Sequence, residues 1–244
     1  MPLRRILTLA AALAVCGTTL ADEPIPPVQT GEVQSSPPPF TRTEEREPCS
    51  NYMTERRPLF GDLHVHTAWS FDASSQDTRN TPADAYRFAQ GAPMGIQPYD
   101  ENDRATRTIL LDRPLDFTAV TDHAEFLGEV HMCTTPGEPG YWHPVCLIQR
   151  YLPRYTFWTF GAAGLSYKHR WGLCGDNNAL CAEKAADMWR QIQQDAEEAY
   201  DRSSDCSFTS FVGYEWTAGG ETGENLHHNV IFRNQQVPDR AMSW

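Results

Sequence analysis

Two histidines one residue apart, His64 and His66, lie in the run Phe60-Gly61-Asp62-Leu63-His64-Val65-His66-Thr67-Ala68-Trp69-Ser70-Phe71-Asp72. The run reads as a buried strand that passes into a loop, with Leu63 and Val65 alternating against Asp62, His64 and His66. Alternation puts the two imidazoles on one face, ~7 Å apart along the backbone. They can then meet one metal ion, although the same pattern also fits the wet face of an antiparallel strand. Residues of matching chemistry recur near the ends of other apolar runs. Asp72 stands in the loop after the first, Asp122-His123 closes the second, Glu215 lies inside Gly213-Tyr214-Glu215-Trp216-Thr217, and His227-His228-Asn229 opens the fourth. Imidazole nitrogen with carboxylate oxygen suits Zn, Mn or Fe. The donors outnumber the needs of one tetrahedral ion, so two or three divalent ions are expected, and Glu215 has two oxygens with which to bridge a pair. Paired ions lower the pKa of a bound water to about 7 and stabilise both oxygens of an in-line displacement. Taken singly, each acid has a plainer reading: Asp72 a loop-capping acid, Asp122 an N-cap, Glu215 an edge-strand acid paired with Arg233. His131, His143, His169 and His228 lack such placement and read as surface or core histidines.

Strands must bring these positions together. Beyond the first run, strands are expected over residues 113–123, 208–216 and 229–233, with a Gly-rich turn at 218–223. Helices are expected over 82–90, with Thr81 as N-cap and Pro82 at the first helical position, over 124–132, and over 178–202. In the last, Ala182, Ala185, Ala186, Trp189, Ile192, Ala196 and Ala199 recur at helical spacing as a core stripe. Residues 92–114 read mostly as loop with a short strand at 108–111. Residues 133–175 are dense in aromatics and read as a Cys-containing insertion over the site, or as outer-shell core. Strand–helix alternation points to an α/β barrel, in which the carboxyl ends of different strands converge on one mouth.

The 244 residues are 40% hydrophobic, as expected of a globular chain. Arg4 and Arg5 precede an apolar run over 6–15, and Thr19-Leu20-Ala21 supplies small residues, so residues 1–21 read as a secretory signal peptide. Residues 22–48 read as a disordered Pro/Glu-rich linker, and the folded part starts at 49. Cleavage would remove two arginines and take the net charge from −12 to −14. That balance argues against nucleic acid and against stable association with an anionic membrane, while bound cations could still draw in a small anionic substrate. Six cysteines remain after cleavage, and export favours disulfides. Spacing favours Cys133–Cys146 and Cys174–Cys181 as local staples, leaving Cys49–Cys206.

Gly61-Asp62-Leu63-His64-Val65-His66-Thr67, Thr121-Asp122-His123 and Gly213-Tyr214-Glu215-Trp216 resemble successive metal-binding motifs of the polymerase and histidinol phosphatase (PHP) superfamily. More closely, Phe71-Asp72-Ala73, Ala85-Tyr86-Arg87-Phe88-Ala89, Pro114-Leu115-Asp116-Phe117, Asp122-His123-Ala124-Glu125-Phe126-Leu127-Gly128 and Asn225-Leu226-His227 resemble the exported DUF3604 proteins. The resemblance implies a distorted (β/α)7-type barrel and hydrolysis of phosphate esters by a metal-bound hydroxide at a multinuclear site. By motif position His64, His66, Asp72, His123, Glu215 and His227 would be ligands, with His227 chosen over His228 by the family pattern. Glu215 is expected to act in catalysis, and Asp122 to orient His123 or a bound water. Asp72 stands where many members have histidine. A further histidine and a late Asp-x-His motif of the superfamily are not found before Trp244, so the chain is expected to be an N-terminal fragment of the barrel. The expected function is an exported metal-dependent phosphoesterase acting on a small anionic ester in the periplasm or outside the cell. The alternatives are an amidohydrolase-like or other ester hydrolase at the same ions, and a non-catalytic module that binds a glycan or partner through the aromatic insertion.

Overall fold

A computed structural model describes residues 45–158, 160, 161, 170–219 and 225–243, all within the compact unit Thr43–Trp244. The expected signal peptide, the linker up to residue 44, the part of the aromatic insertion at 162–169 and most of the Gly-rich turn lie outside the described residues.

In chain order the elements are β1 (Gly61–Val65), α1 (Phe71–Ser74), α2 (Pro82–Ala89), β2 (Met94–Tyr99), β3 (Ala105–Ile109), β4 (Phe117–Val120), α3 (Leu127–Thr134), α4 (Pro144–Tyr151), α5 (Pro153–Thr156), α6 (Ala179–Ala199), β5 (Thr209–Gly219) and β6 (Asn225–Ile231). Four strands form one sheet in the order β1-β4-β5-β6, and β2 and β3 form a separate antiparallel pair. β1, β4 and β5 run parallel, while β6 returns antiparallel to β5. This corrects the expected (β/α)7-type barrel. The described residues hold six α-helices and a mixed four-stranded sheet curled into a half-barrel, not a closed ring of parallel strands. Two departures from strand–helix alternation account for the difference. β5 and β6 pair directly, without a crossover helix between them, and β2–β3 occupies the stretch read mostly as loop.

The curl is strong. Asn229 Nδ2 on β6 donates to the Leu63 carbonyl on β1 at 3.0 Å, although two strands lie between them and a flat sheet would set them ~14 Å apart. The convex face packs on α2 and α6, where Tyr86, Ala89, Val120, Trp189, Ile192, Val212 and Tyr214 form the main core. Thr81 and Asp84 complete a reciprocal capping box at the start of α2, with Pro82 in its first turn. From α2 the buried Tyr86 hydroxyl donates to the Phe211 carbonyl of β5 at 3.0 Å and accepts the Val120 N–H of β4 at 3.2 Å, stitching two strands to one helix. At Gly128 a Cβ would lie 2.1 Å from the Cys181 carbonyl, so α3 and α6 approach as closely as they do only because that residue is glycine.

β1 needs a second correction. Against the buried strand expected from its pattern, it is an exposed edge strand: Leu63 is 40% exposed, and Val65 alone of its apolar pair packs against the main core. Between Asp62 and Val65 the register with β4 slips by one residue, because Asp62 pairs with Thr118 and Val65 with Val120. Such a bulge sends Asp62 to the face of Val65 and leaves His64 and His66 on the other. Asp62 turns back and accepts the His64 N–H at 2.9 Å.

The six cysteines pair as spacing favoured: Cys49–Cys206, Cys133–Cys146 and Cys174–Cys181. The last two are fully buried with Met132 and Leu173. The first fastens the chain ahead of β1 to the loop ahead of β5, and Glu47 N–H donates to the Arg202 carbonyl beside it, so backbone order extends a little before residue 49.

Candidate metal centre

Each donor reaches the concave face for a local reason. His64 and His66 come from the bulged edge strand, and His123 from just past β4, where a single parallel bridge continues the ladder to Glu215. Glu215 lies in the middle of β5 and is 1% exposed. In β6, Thr217 pairs with His227 and Glu215 with Asn229, and directly paired residues share a face. His227 therefore joins Glu215, whereas His228 pairs with Trp216 on the other face and stacks on its ring at 6.1 Å. Because β6 runs antiparallel, its amino-terminal end lies where the parallel strands end, so His227 reaches the same mouth. Asp72, in the first turn of α1, completes the set.

Three groups of donor atoms lie within 4.8 Å of one another: His64, His66 and Glu215; His66, Asp72 and His123; His123, Glu215 and His227. Consecutive groups share a residue, and His66, His123 and Glu215 each belong to two. His64 Nε2, His66 Nε2 and Glu215 Oε2 form a triangle with sides of 3.2, 2.8 and 2.7 Å. Donors held at about 2.0–2.1 Å from one ion are separated by roughly 2.9 Å in an octahedron and roughly 3.3 Å in a tetrahedron, so these atoms fit a divalent ion. His66 Nδ1 meets Asp72 Oδ2 at 2.9 Å, and His123 Nε2 stands 3.8 Å from that oxygen. His227 Nδ1 touches Glu215 Oε1. A fourth group, Glu129 with Cys174 and Cys181, offers no thiolate because the two sulfurs are bonded to each other.

The electrostatics favour positive charge in this space. Burial opposes a proton on His66, but hydrogen bonds to Asp72 and Glu215 outweigh it and push the imidazole up to about 10. Burial would raise Glu215, yet the hydrogen bond from His66, the nearby His123 and the His227 contact bring it down to about 2. Asp72 is likewise held well below the usual carboxylate range, with its burial overcome chiefly by His66. Among the described residues, Glu215 forms ion pairs with His64, His66, His123 and His227.

Asp122 has a different place. It is fully buried, and its two oxygens accept the Thr67 N–H and hydroxyl at 2.5 and 2.6 Å, tying the end of β4 to the loop after β1. Burial, partly offset by those two bonds, raises it to about 6. Three residues not singled out from the sequence surround the donors. Ser70 Oγ accepts the His123 N–H at 3.1 Å. Thr217 Oγ1 lies 2.8 Å from His123 Nδ1 and 3.4 Å from His227 Nδ1. Glu125 accepts the Thr217 N–H. Thr217 and Glu125 each follow a donor by two residues, which is the one signal the sequence held for them.

Fold and site together define a mixed α/β protein in which the curled sheet, with the short helix α1 after β1, brings four histidines and two carboxylates to one concavity. The chain belongs to the DUF3604 family, described as a protein of unknown function, which matches residues 53–243 and so spans every donor. No curated protein and no solved structure matches it.

Proposed function

We propose that this concavity holds two or three divalent ions, drawn from Zn, Mn and Fe, and that the protein is an exported metal-dependent phosphoesterase for a small anionic ester. The kinship to the PHP superfamily read from the motifs is part of this proposal. The observation that carries it is the set of overlapping donor groups joined through Glu215, whose two oxygens face different groups and can serve adjacent ions, whereas each neutral imidazole serves one. Bound there, divalent ions supply Lewis acidity that acidifies water and neutralises charge on phosphoryl oxygens. The side chains do the rest. Glu215 offers one oxygen to the His64–His66 side and the other to His227. The His64 side chain, 57% exposed, stands at the solvent end where an ester arrives, and Asp122 fixes the loop that carries Thr67. Three disulfides fit an oxidising compartment, and among the described residues no helix is long and apolar enough to cross a membrane.

The test is metal analysis of the purified protein followed by a matched panel of aryl phosphate, sulfate and carboxylate esters. Retained metal with preferential phosphate release is the expected result. Preference for the carboxylate ester would move the assignment to an amidohydrolase-like hydrolase, and a protein that retains no metal would overturn it.

A further inference from the structure

Glu125 is fully buried between β4 and α3. Its Oε1 accepts the Thr217 N–H at 3.2 Å. Its Oε2 has no hydrogen-bond partner and lies 3.8 Å from His123 Nδ1. An acceptor for one backbone N–H does not require a carboxylate, since an amide oxygen serves as well. A bare, fully buried carboxylate oxygen costs free energy that such a role leaves unexplained. What that oxygen faces is the inner nitrogen of a donor ring. His123 Nε2 points toward Asp72, while Nδ1 points away from that group, toward the Thr217 hydroxyl at 2.8 Å, with Glu125 Oε2 at 3.8 Å and Glu215 Oε1 at 3.9 Å beyond it. Metal-binding imidazoles hold their second ring N–H against a carboxylate, carbonyl or water, which sets tautomer and orientation.

We propose that Glu125 is a positioning residue for His123: its Oε2 charge, 3.8 Å from Nδ1, keeps the proton on that nitrogen, where the Thr217 hydroxyl accepts its hydrogen bond, so that Nε2 is the nitrogen turned to the ion. This rests on the reading of the concavity as a metal site. It also assigns His123 to the group with His66 and Asp72, and not through Nδ1 to the group with His227.

Zinc affinity by chelator competition, the melting temperature of the metal-free protein and histidine 15N spectra of the zinc-loaded full chain test it. Glu125→Gln is expected to weaken zinc binding ten- to hundredfold while the metal-free variant melts no lower than its parent. The parent's His123 is expected to show a protonated Nδ1 and a zinc-shifted Nε2. Unchanged zinc affinity in a folded Glu125→Gln protein would overturn the proposal. Should that variant fail to fold, the parent spectrum decides: zinc on Nδ1 overturns the assignment, and zinc on Nε2 with a protonated Nδ1 supports it. A parent that binds none of zinc, manganese or iron at any stoichiometry removes the metal reading and this inference with it, a result distinct from a parent that binds zinc and a variant that binds it equally well.

Discussion

At the scale of single residues, the six donors are not equivalent. His64, Asp72 and His227 each belong to one donor group, whereas His66, His123 and Glu215 each belong to two. Removing a shared donor should therefore cost more bound metal than removing an unshared one. Elemental analysis after dialysis against low metal is expected to show Glu215→Ala losing more equivalents than His64→Ala. Burial points the same way for stability: His64 is on the solvent side and Glu215 is 1% exposed, so His64→Ala should leave the melting temperature of the metal-free protein nearly unchanged. Equal losses of metal would show that the groups are filled independently of the shared side chains.

Among elements, α2 is the brace, and its capping box carries a pH signature. Asp84 is opposed by burial, but the Thr81 backbone and hydroxyl bonds and the Arg87 charge outweigh this and lower its pKa. A carboxylate whose folded pKa is depressed contributes stability that is present above its unfolded pKa and lost as pH falls through the folded one. Asp84→Ala should thus cost about 1 kcal/mol near neutrality, and the gap between parent and variant should close as urea titrations move into strong acid. A gap that persists there would place the stabilisation in packing instead. The same elements show what the sequence displayed and what it hid. α2 and α6 were legible because caps and a 3.6-residue stripe are local signals. The hairpin β2–β3 was not, since Pro98 and the charges around residues 100–107 masked its alternation. Nor was the exposure of β1, because Leu63 and Val65 look alike in a pattern and only the bulge separates their environments. The direction of β6 was equally hidden, since pairing with β5 is a long-range choice. The candidate donors were legible by chemical type at strand ends, and all six lie together in the concavity; Ser70 was not, and Thr217 and Glu125 stood out only by following a candidate donor by two residues, a spacing too common to single them out.

For the whole molecule, the disulfides rank themselves by the span of chain each closes. Cys49–Cys206 spans 157 residues and Cys174–Cys181 spans 7. On the chain-entropy account the former restricts the unfolded chain by roughly 5 kcal/mol and the latter by roughly 2 kcal/mol. Paired Cys→Ala replacement should therefore lower thermal stability most at Cys49–Cys206, although that bond lies nearer the surface than the other two. Calorimetry of the three double variants checks the order, and a larger loss at Cys174–Cys181 would mean that native packing, not loop closure, sets it.

The edge position of β1 also has a consequence in time. This strand supplies His64 and leads into His66, yet it is hydrogen-bonded in the sheet on one side, to β4. Edges open locally at far lower cost than central strands, so on the proposed metal reading the residence time of an ion held by His64, His66 and Glu215 would be set by fraying of this edge and not by unfolding of the domain. Amide hydrogen exchange should find Leu63, His64 and Val65 much less protected than Ala119 and Val120, with zinc slowing exchange in β1 far more than in β4. By this account the first strand would serve as the latch through which the proposed ion enters and leaves.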